Sequence, residues 1–372
     1  MTKSDESLIF NKIVEVGCSK TLTDKIILSK SVLYCLEYIT VLSINHRILK
    51  VDDNVLVLDI CYMMNQFQSL LKLIHENATS SGAVYIVLRV LKTIRDEYIL
   101  SITNTSKSNC QINKERKILL TDSYDVDYKN VDVGLERTIR ESLQELCEEL
   151  GQLHTHLLCL SSSILSYESN NVMIMDCDPI LDQFFKKAVK KTKLTVNFVA
   201  TAISHQNLNV VQKKYTNLHD IHFTVVPYND IYSSVPNMSS ILLVCRTLFM
   251  DGSVLVTCGA KQLALVCKKF NVPVYILAHI HNLDPGIVDE NKINFLQNPS
   301  QINQFKDDDT QDFNGFIKKP SNYFSSAPKF EILHKDYVTY IVTNRKIYYP
   351  ENIYQLIQEI YHAEDINFLS LL

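Results

Sequence analysis

Asn171-Val172-Met173-Ile174-Met175-Asp176-Cys177-Asp178 joins an unbroken apolar run to an acidic, thiol-bearing turn. A run this short and without alternation reads as a strand buried on both faces. Further runs follow at Leu194–Ala200, Ile221–Val226, Ile241–Cys245, Val254–Thr257, Val274–Ala278 and Tyr337–Val342. Amphipathic pieces such as Leu181–Lys190, Lys261–Phe270 and Ile353–Tyr361 lie between them. Strands and helices alternating in this way build a parallel sheet covered on both faces. The expected fold of residues 167–372 is a doubly wound, Rossmann-like α/β domain.

Upstream the period is different. From Ser7 to about Tyr98 apolar residues recur at three and four, as in Ile26, Ile27, Leu33, Leu36 and Ile39, then Leu70, Leu71 and Ile74, then Val84, Val87, Leu88, Leu91 and Ile94. This spacing predicts an N-terminal helical bundle over 1–103. A second helical pattern, Leu135, Ile139, Leu143, Leu146, Leu150, Leu153, Leu157, Leu160 and Ile164, predicts one long connecting helix over 132–166. Such a helix needs a packing partner, which is either the bundle core or an intersubunit seam. Residues 104–131 are polar and aperiodic, opening with Asn104-Thr105-Ser106-Lys107-Ser108-Asn109, and are expected to be a flexible linker. Residues 282–326, with Asp307-Asp308-Asp309, are expected to form an exposed insertion whose acidic triplet is simply solvated.

Composition narrows the function. The 37 Lys+Arg and 41 Asp+Glu give a formal charge of -4 over 372 residues, so no broad nucleic-acid-binding surface is implied. The chain has only eight glycines, no two closer than seven positions, where average usage would give roughly 26. That spacing excludes the dinucleotide fingerprint, the P-loop and the nucleophile elbow. Ten cysteines are scattered with no C-x-x-C, in a chain too large to need disulfide staples, which favours reduced thiols. Met1 to Phe10 is polar and acidic, and no apolar stretch is long enough to span a bilayer. The expectation is a cytosolic protein without a membrane span.

No cluster of residues reads as a catalytic, cofactor or metal site. His154-x-His156 falls within the long helix, where residues two apart diverge. His279-x-His281 follows a strand, where both rings share a face, but no further ligand stands at metal spacing before Asp284, so a surface or interface pair is expected. Cys177 ends a strand, where α/β folds bind ligands. Its neighbours Asp176 and Asp178 would raise a thiol's pKa, against a nucleophilic role. Arg246 ends another strand ahead of Asp251-Gly252, an ordinary turn signal, and could meet an anion or a neighbouring subunit.

Leu88-Arg89-Val90-Leu91-Lys92-Thr93-Ile94-Arg95-Asp96-Glu97-Tyr98 resembles the N-terminal helical domain of the beta type in the regulatory alpha/beta/delta subunit family of eukaryotic translation initiation factor 2B. Three further places echo the family in order. Ser169-Asn170-Asn171-Val172-Met173-Ile174-Met175 is similar to its first α/β strand. Arg246-Thr247, Asp251-Gly252, Cys258-Gly259-Ala260-Lys261-Gln262-Leu263-Ala264-Leu265 and Pro273-Val274-Tyr275-Ile276 resemble its Lys-Thr, Asn-Gly, Thr-Gly-Thr-His-Thr-Leu-Ala-Leu and Pro-Leu-Ile-Val segments. The tail, Asp336-Tyr337-Val338 with Ile353-Tyr354-Gln355-Leu356, Glu359 and Tyr361-His362-Ala363-Glu364-Asp365, is similar to its ending. The resemblance covers about 61–100, 135–281 and 330–365. Several family glycines are replaced, the loop after the second strand reads Thr201-Ala202-Ile203-Ser204-His205, and the insertion is the chain's own.

The resemblance implies a non-catalytic regulatory subunit of the guanine-nucleotide exchange factor complex acting on translation initiation factor 2. Its implied partners are the delta, gamma, epsilon and alpha types of subunit and the alpha subunit of factor 2, with no direct nucleic acid, membrane or cofactor. It further implies a subunit interface at Asn170, Val172, His205, Arg246 and Thr247, expected to cluster at one edge of the α/β crevice. Methylthioribose-1-phosphate-type isomerases resemble the chain more distantly. Their chemistry uses a Cys near position 177 and an Asp where Arg246 stands, and a guanidinium cannot serve as a general base.

Overall fold

The computed structural model describes residues 3–17, 25–50, 55–77, 81–105, 134–160, 164–165, 171–176, 178–188, 194–201, 212–213, 215, 221–286, 288 and 328–370. Asn170, Cys177, His205, the acidic triplet and nearly all of the expected linker and insertion lie outside the described residues.

The N-terminal half contains α1 (Lys3–Gly17), α2 (Lys25–Asn45), α3 (Ile60–Asn77), α4 (Ser81–Thr105) and α5 (Leu135–Cys159). Helix α4 is buried nearly all round its first turns, from Ala83 to Leu88, as befits the central member of a bundle. The helical period is not unbroken. A hairpin of β1 (Arg47–Lys50) and β2 (Val55–Leu58) stands between α2 and α3, its antiparallel register pairing Arg47 with Leu58. Leu33, on the period, is 49% exposed.

On α5 the predicted stripe is the buried one: Leu135, Ile139, Leu143, Leu146 and Leu150 pack in the bundle core with α2 and α4. Two turns beyond Leu150, Leu157 joins a different cluster with Ile174, Phe184 and Phe198. One helix thus serves both cores, each fully buried leucine contributing about 1.5–3 kcal/mol.

The C-terminal half carries a seven-stranded sheet in the order β13-β12-β9-β6-β3-β4-β5. In chain order these are β3 (Asn171–Ile174), β4 (Leu194–Ala200), β5 (Ile221–Pro227), β6 (Ser240–Val244), β9 (Val274–Leu277), β12 (Tyr340–Val342) and β13 (Ile347–Tyr348). All pair in parallel except β13, which runs antiparallel to β12. The pleat of β3 separates the two cores. Val172 and Ile174 face the cluster with α6 (Pro179–Ala188), while Met173 and Met175 face the one shared with the bundle. Buried residues of α8 (Ala260–Phe270) and α9 (Ile353–Ile360) line that second face, so the sheet is covered on both sides. A short helix, α7 (Ile231–Ser234), and α10 (Ala363–Ser370) are the remaining α-helices among the described residues.

One apolar run belongs elsewhere. Val254–Thr257 forms β8 of a separate four-stranded sheet, ordered β10 (Leu283–Asp284), β7 (Thr247–Phe249), β8, β11 (Phe330–Leu333). The link from β7 to β8 is a tight turn. Gly252 adopts φ +86°, its N–H donates to Phe249 O at 3.0 Å, and Asp251 accepts from Ser253 N and Oγ at 2.9 and 2.7 Å. A connection this short makes antiparallel neighbours only, which removes β8 from the parallel sheet.

Candidate functional site at the sheet switch point

Strand β3 is the first of the parallel sheet and β6 the fourth, yet they lie side by side, with Val172 opposite Ser240 and Ile174 opposite Leu242. Connections leave these two strands in opposite directions, and the crevice beyond their carboxyl ends is where open α/β sheets bind ligands. Asp176 follows β3 there and Arg246 follows β6.

Asp176 is half-buried and its Oδ1 accepts from Thr257 Oγ1 at 2.5 Å. Burial pushes its carboxyl up to about 6; Asp178 adds to the rise, while the Thr257 hydroxyl and the Arg246 guanidinium oppose it. Asp178 is committed to the helix that follows, accepting from Ile180 N at 3.0 Å. The Arg246 guanidinium lies over the Phe330 ring, 5.4 Å from its centre, and Lys329 Nζ lies 5.2 Å from the same ring. The Arg246 backbone is fixed by its N–H to Leu255 O (2.9 Å) and by Asn282 Nδ2, which donates to Arg246 O at 2.7 Å. Asn282, placed at the start of the expected insertion, is therefore a buried clamp on the end of β6.

Beside them α8 begins without a side-chain cap. Gly259 takes φ +99°, and a Cβ there would stand 2.8 Å from Met175 Cε and 3.1 Å from the Tyr228 ring. The acceptor for the helix start comes from β11 instead: Glu331 Oε1 accepts from Gly259 N at 2.8 Å and Lys261 N at 2.7 Å. Tyr228 donates its hydroxyl to Gln262 Oε1 at 2.7 Å, with Gly259 O at 3.0 Å. Burial raises the Tyr228 phenol to about 12, so it stays a neutral donor. The Cys258 thiol is also pushed up, by burial and then by Glu331, and burial raises Cys245 further. Neither is set up as a thiolate. Among the described residues no group of three or more His, Cys, Asp or Glu could hold a metal ion.

Of the five residues expected at one edge of the crevice, Arg246 is a partly exposed side chain at this mouth. Thr247 is adjacent but buried, paired with Leu255. Val172 is fully buried and sits opposite Ser240, six residues before Arg246, so it lies at the other end of the sheet, about 20 Å away. Strand direction separates them: Val172 enters a parallel strand, whereas Arg246 leaves one. Asn170 and His205 lie outside the described residues. His279 and His281, expected as a surface or interface pair, are likewise buried, their rings stacked 5.0 Å apart at 19°, because the 3-10 turn Ile280–Asn282 folds both into the core. Glu331, Tyr228 and Asn282 were not anticipated. A signal for Glu331 was present: Cys258-Gly259 before a helix offers no capping side chain, so its first N–H groups must find an acceptor elsewhere.

The sequence profile of the initiation factor 2 subunit family matches residues 61–350. Translation initiation factor eIF2B subunit beta of Dictyostelium discoideum is 26% identical over 322 residues, covering 76% of this chain and 79% of that protein. The crystal structure of eIF2B beta from Chaetomium thermophilum superposes with a TM-score of 0.66 at 14% identity, covering 96% of this chain and 92% of that one. A chain of the tetrameric eIF2B-beta2-delta2 complex from C. thermophilum gives 0.62 at 14%, covering 95% and 94%. At that identity the two structures are alike in fold.

Proposed function

We propose, on the premise that this chain belongs to the initiation factor 2 subunit family, that it is a non-catalytic, beta-type subunit of the guanine-nucleotide exchange factor acting on initiation factor 2. It scaffolds the assembly with delta-, gamma-, epsilon- and alpha-type subunits and contributes to sensing the phosphorylated alpha subunit of factor 2. The observation that carries the non-catalytic part is Arg246 at the carboxyl end of β6. There a permanently charged guanidinium stacked on Phe330 occupies the place where proton-transfer chemistry would need a base. The beta-subunit relative supports the type, and the solved beta2-delta2 tetramer supports a delta-type subunit as direct neighbour. Arg246 is the residue we assign to that contact.

Coexpression with a delta-type subunit, followed by intact-complex mass measurement, tests the reading. Wild type is expected to copurify in a stable complex. Arg246→Ala should weaken that complex by about 2–5 kcal/mol while the isolated chain keeps its circular dichroism. A chain that copurifies with no initiation-factor subunit overturns the scaffold role, and one that alone accelerates nucleotide release overturns the non-catalytic one. An intact complex with Arg246→Ala removes the residue assignment only.

A further inference from the structure

We propose that Glu331 is a built-in anion that closes the switch-point crevice to phosphate esters, making it the residue that decides what this crevice excludes. The start of α8 has the geometry that cradles an oxyanion. Gly259 in the left-handed region and the helical residues after it turn the Gly259 and Lys261 N–H groups toward one point, at the positive end of an eleven-residue helix. That point is already taken. A single carboxylate oxygen, Glu331 Oε1, receives both Gly259 N and Lys261 N at 2.8 and 2.7 Å, the distances of charge-assisted bonds.

The carboxylate is held there by its strand. Glu331 pairs with Val256 in the β8–β11 ladder, and Cys258 N donates to Lys329 O at 3.1 Å, so β11 runs fixed alongside the approach to the helix. The space behind it is filled as well. Met175 Cε and the Tyr228 ring stand where even a methyl group on Gly259 would collide, and Tyr228 is tied to Gln262 on α8. A phosphate entering this mouth would have to displace a negative charge already bonded to both amides, beside a strand end, Thr257, that holds a second carboxylate, Asp176. The closure concerns small ligands and is independent of the assembly role.

The test is a titration of the full-length chain with inorganic phosphate, followed by the amide NMR signals of Gly259 and Lys261. In wild type these signals are expected not to move saturably. In Glu331→Ala, which leaves both amides open, they should move saturably, with phosphate bound at least about tenfold tighter than by wild type. Glu331→Ser is the second opened variant, its small polar side chain serving should the alanine chain fail to fold. Glu331→Gln keeps an acceptor on both amides and should stay silent. Saturable movement of these amides in wild type overturns the proposal. So does silence in a folded Ala or Ser variant.

Discussion

Arg95 and Asp365, 270 residues apart, form a forked ion pair in which Arg95 Nη2 donates to Asp365 Oδ1 at 3.0 Å and Nε to Oδ2 at 3.3 Å. Both side chains are buried, at 6% and 0% exposure, and Arg95 Nη1 also meets Glu364. The pair fastens α10, the last helix, to α4, the central helix of the N-terminal bundle. The two halves are thus joined by charge as well as by the shared core. Burial raises the Asp365 carboxyl even against the pull of Arg95, so the pair sits where desolvation is costly.

Arg95→Ala should therefore destabilise the chain by about 3–5 kcal/mol in urea unfolding, because it strands a buried carboxylate. Replacing the pair together, Arg95→Met with Asp365→Leu, should cost clearly less than Arg95→Ala alone. Equal losses would show that the charge is not what matters at this joint.

Asp176 gives a pH dependence of definite sign. Its folded pKa, raised to about 6 by burial, lies above the ordinary carboxylate value of 3.8, so the folded chain binds this proton more tightly. The associated stability is fully present below about pH 4 and is lost as pH rises through 6. Comparing wild type with Asp176→Asn cancels the other titrating groups. Their stability difference should shift against wild type by about 1–2 kcal/mol between pH 4 and 7, after allowance for partial exposure. A flat difference across that window contradicts the assignment.

Gly252 should not tolerate a side chain. Its φ of +86° is strained for other residues, and a Cβ would run into the Pro350 carbonyl just ahead of α9. Gly252→Ala is expected to lose about 2–4 kcal/mol in thermal or urea unfolding. Asp251→Ala, in the same turn, should cost about 1 kcal/mol for its lost bonds to Ser253.

Asn197 is a buried polar group in the middle of β4. Its Nδ2 donates to Asn171 Oδ1 at 2.5 Å and its Oδ1 accepts from Thr224 Oγ1, so it ties β3, β4 and β5 together at one level of the sheet. Asn197→Val should cost about 1–3 kcal/mol by leaving these partners unmatched. A double-mutant cycle with Thr224→Val should return a coupling of at least about 0.5 kcal/mol.

Periodicity and order were enough for the architecture and the family. The stripe from Leu135 to Leu157 and the runs at Val172, Leu194, Ile221, Ile241 and Val274 are local patterns, and local patterns declare which face of an element is apolar. The quoted segments, in their order along the chain, pointed to the family whose profile matches 61–350. What only the tertiary structure decided is which strand ends meet. Strand direction placed Val172 at the far end of the sheet from Arg246, a short turn carried Val254–Thr257 into a second sheet, and a 3-10 turn buried His279 and His281. It also brought Glu331 of β11 onto the start of α8, across 70 residues of chain from Lys261. These contacts join residues far apart in sequence, and no local hydrophobic period encodes them. They are set by the cooperative packing of the two sheets and the helices between them.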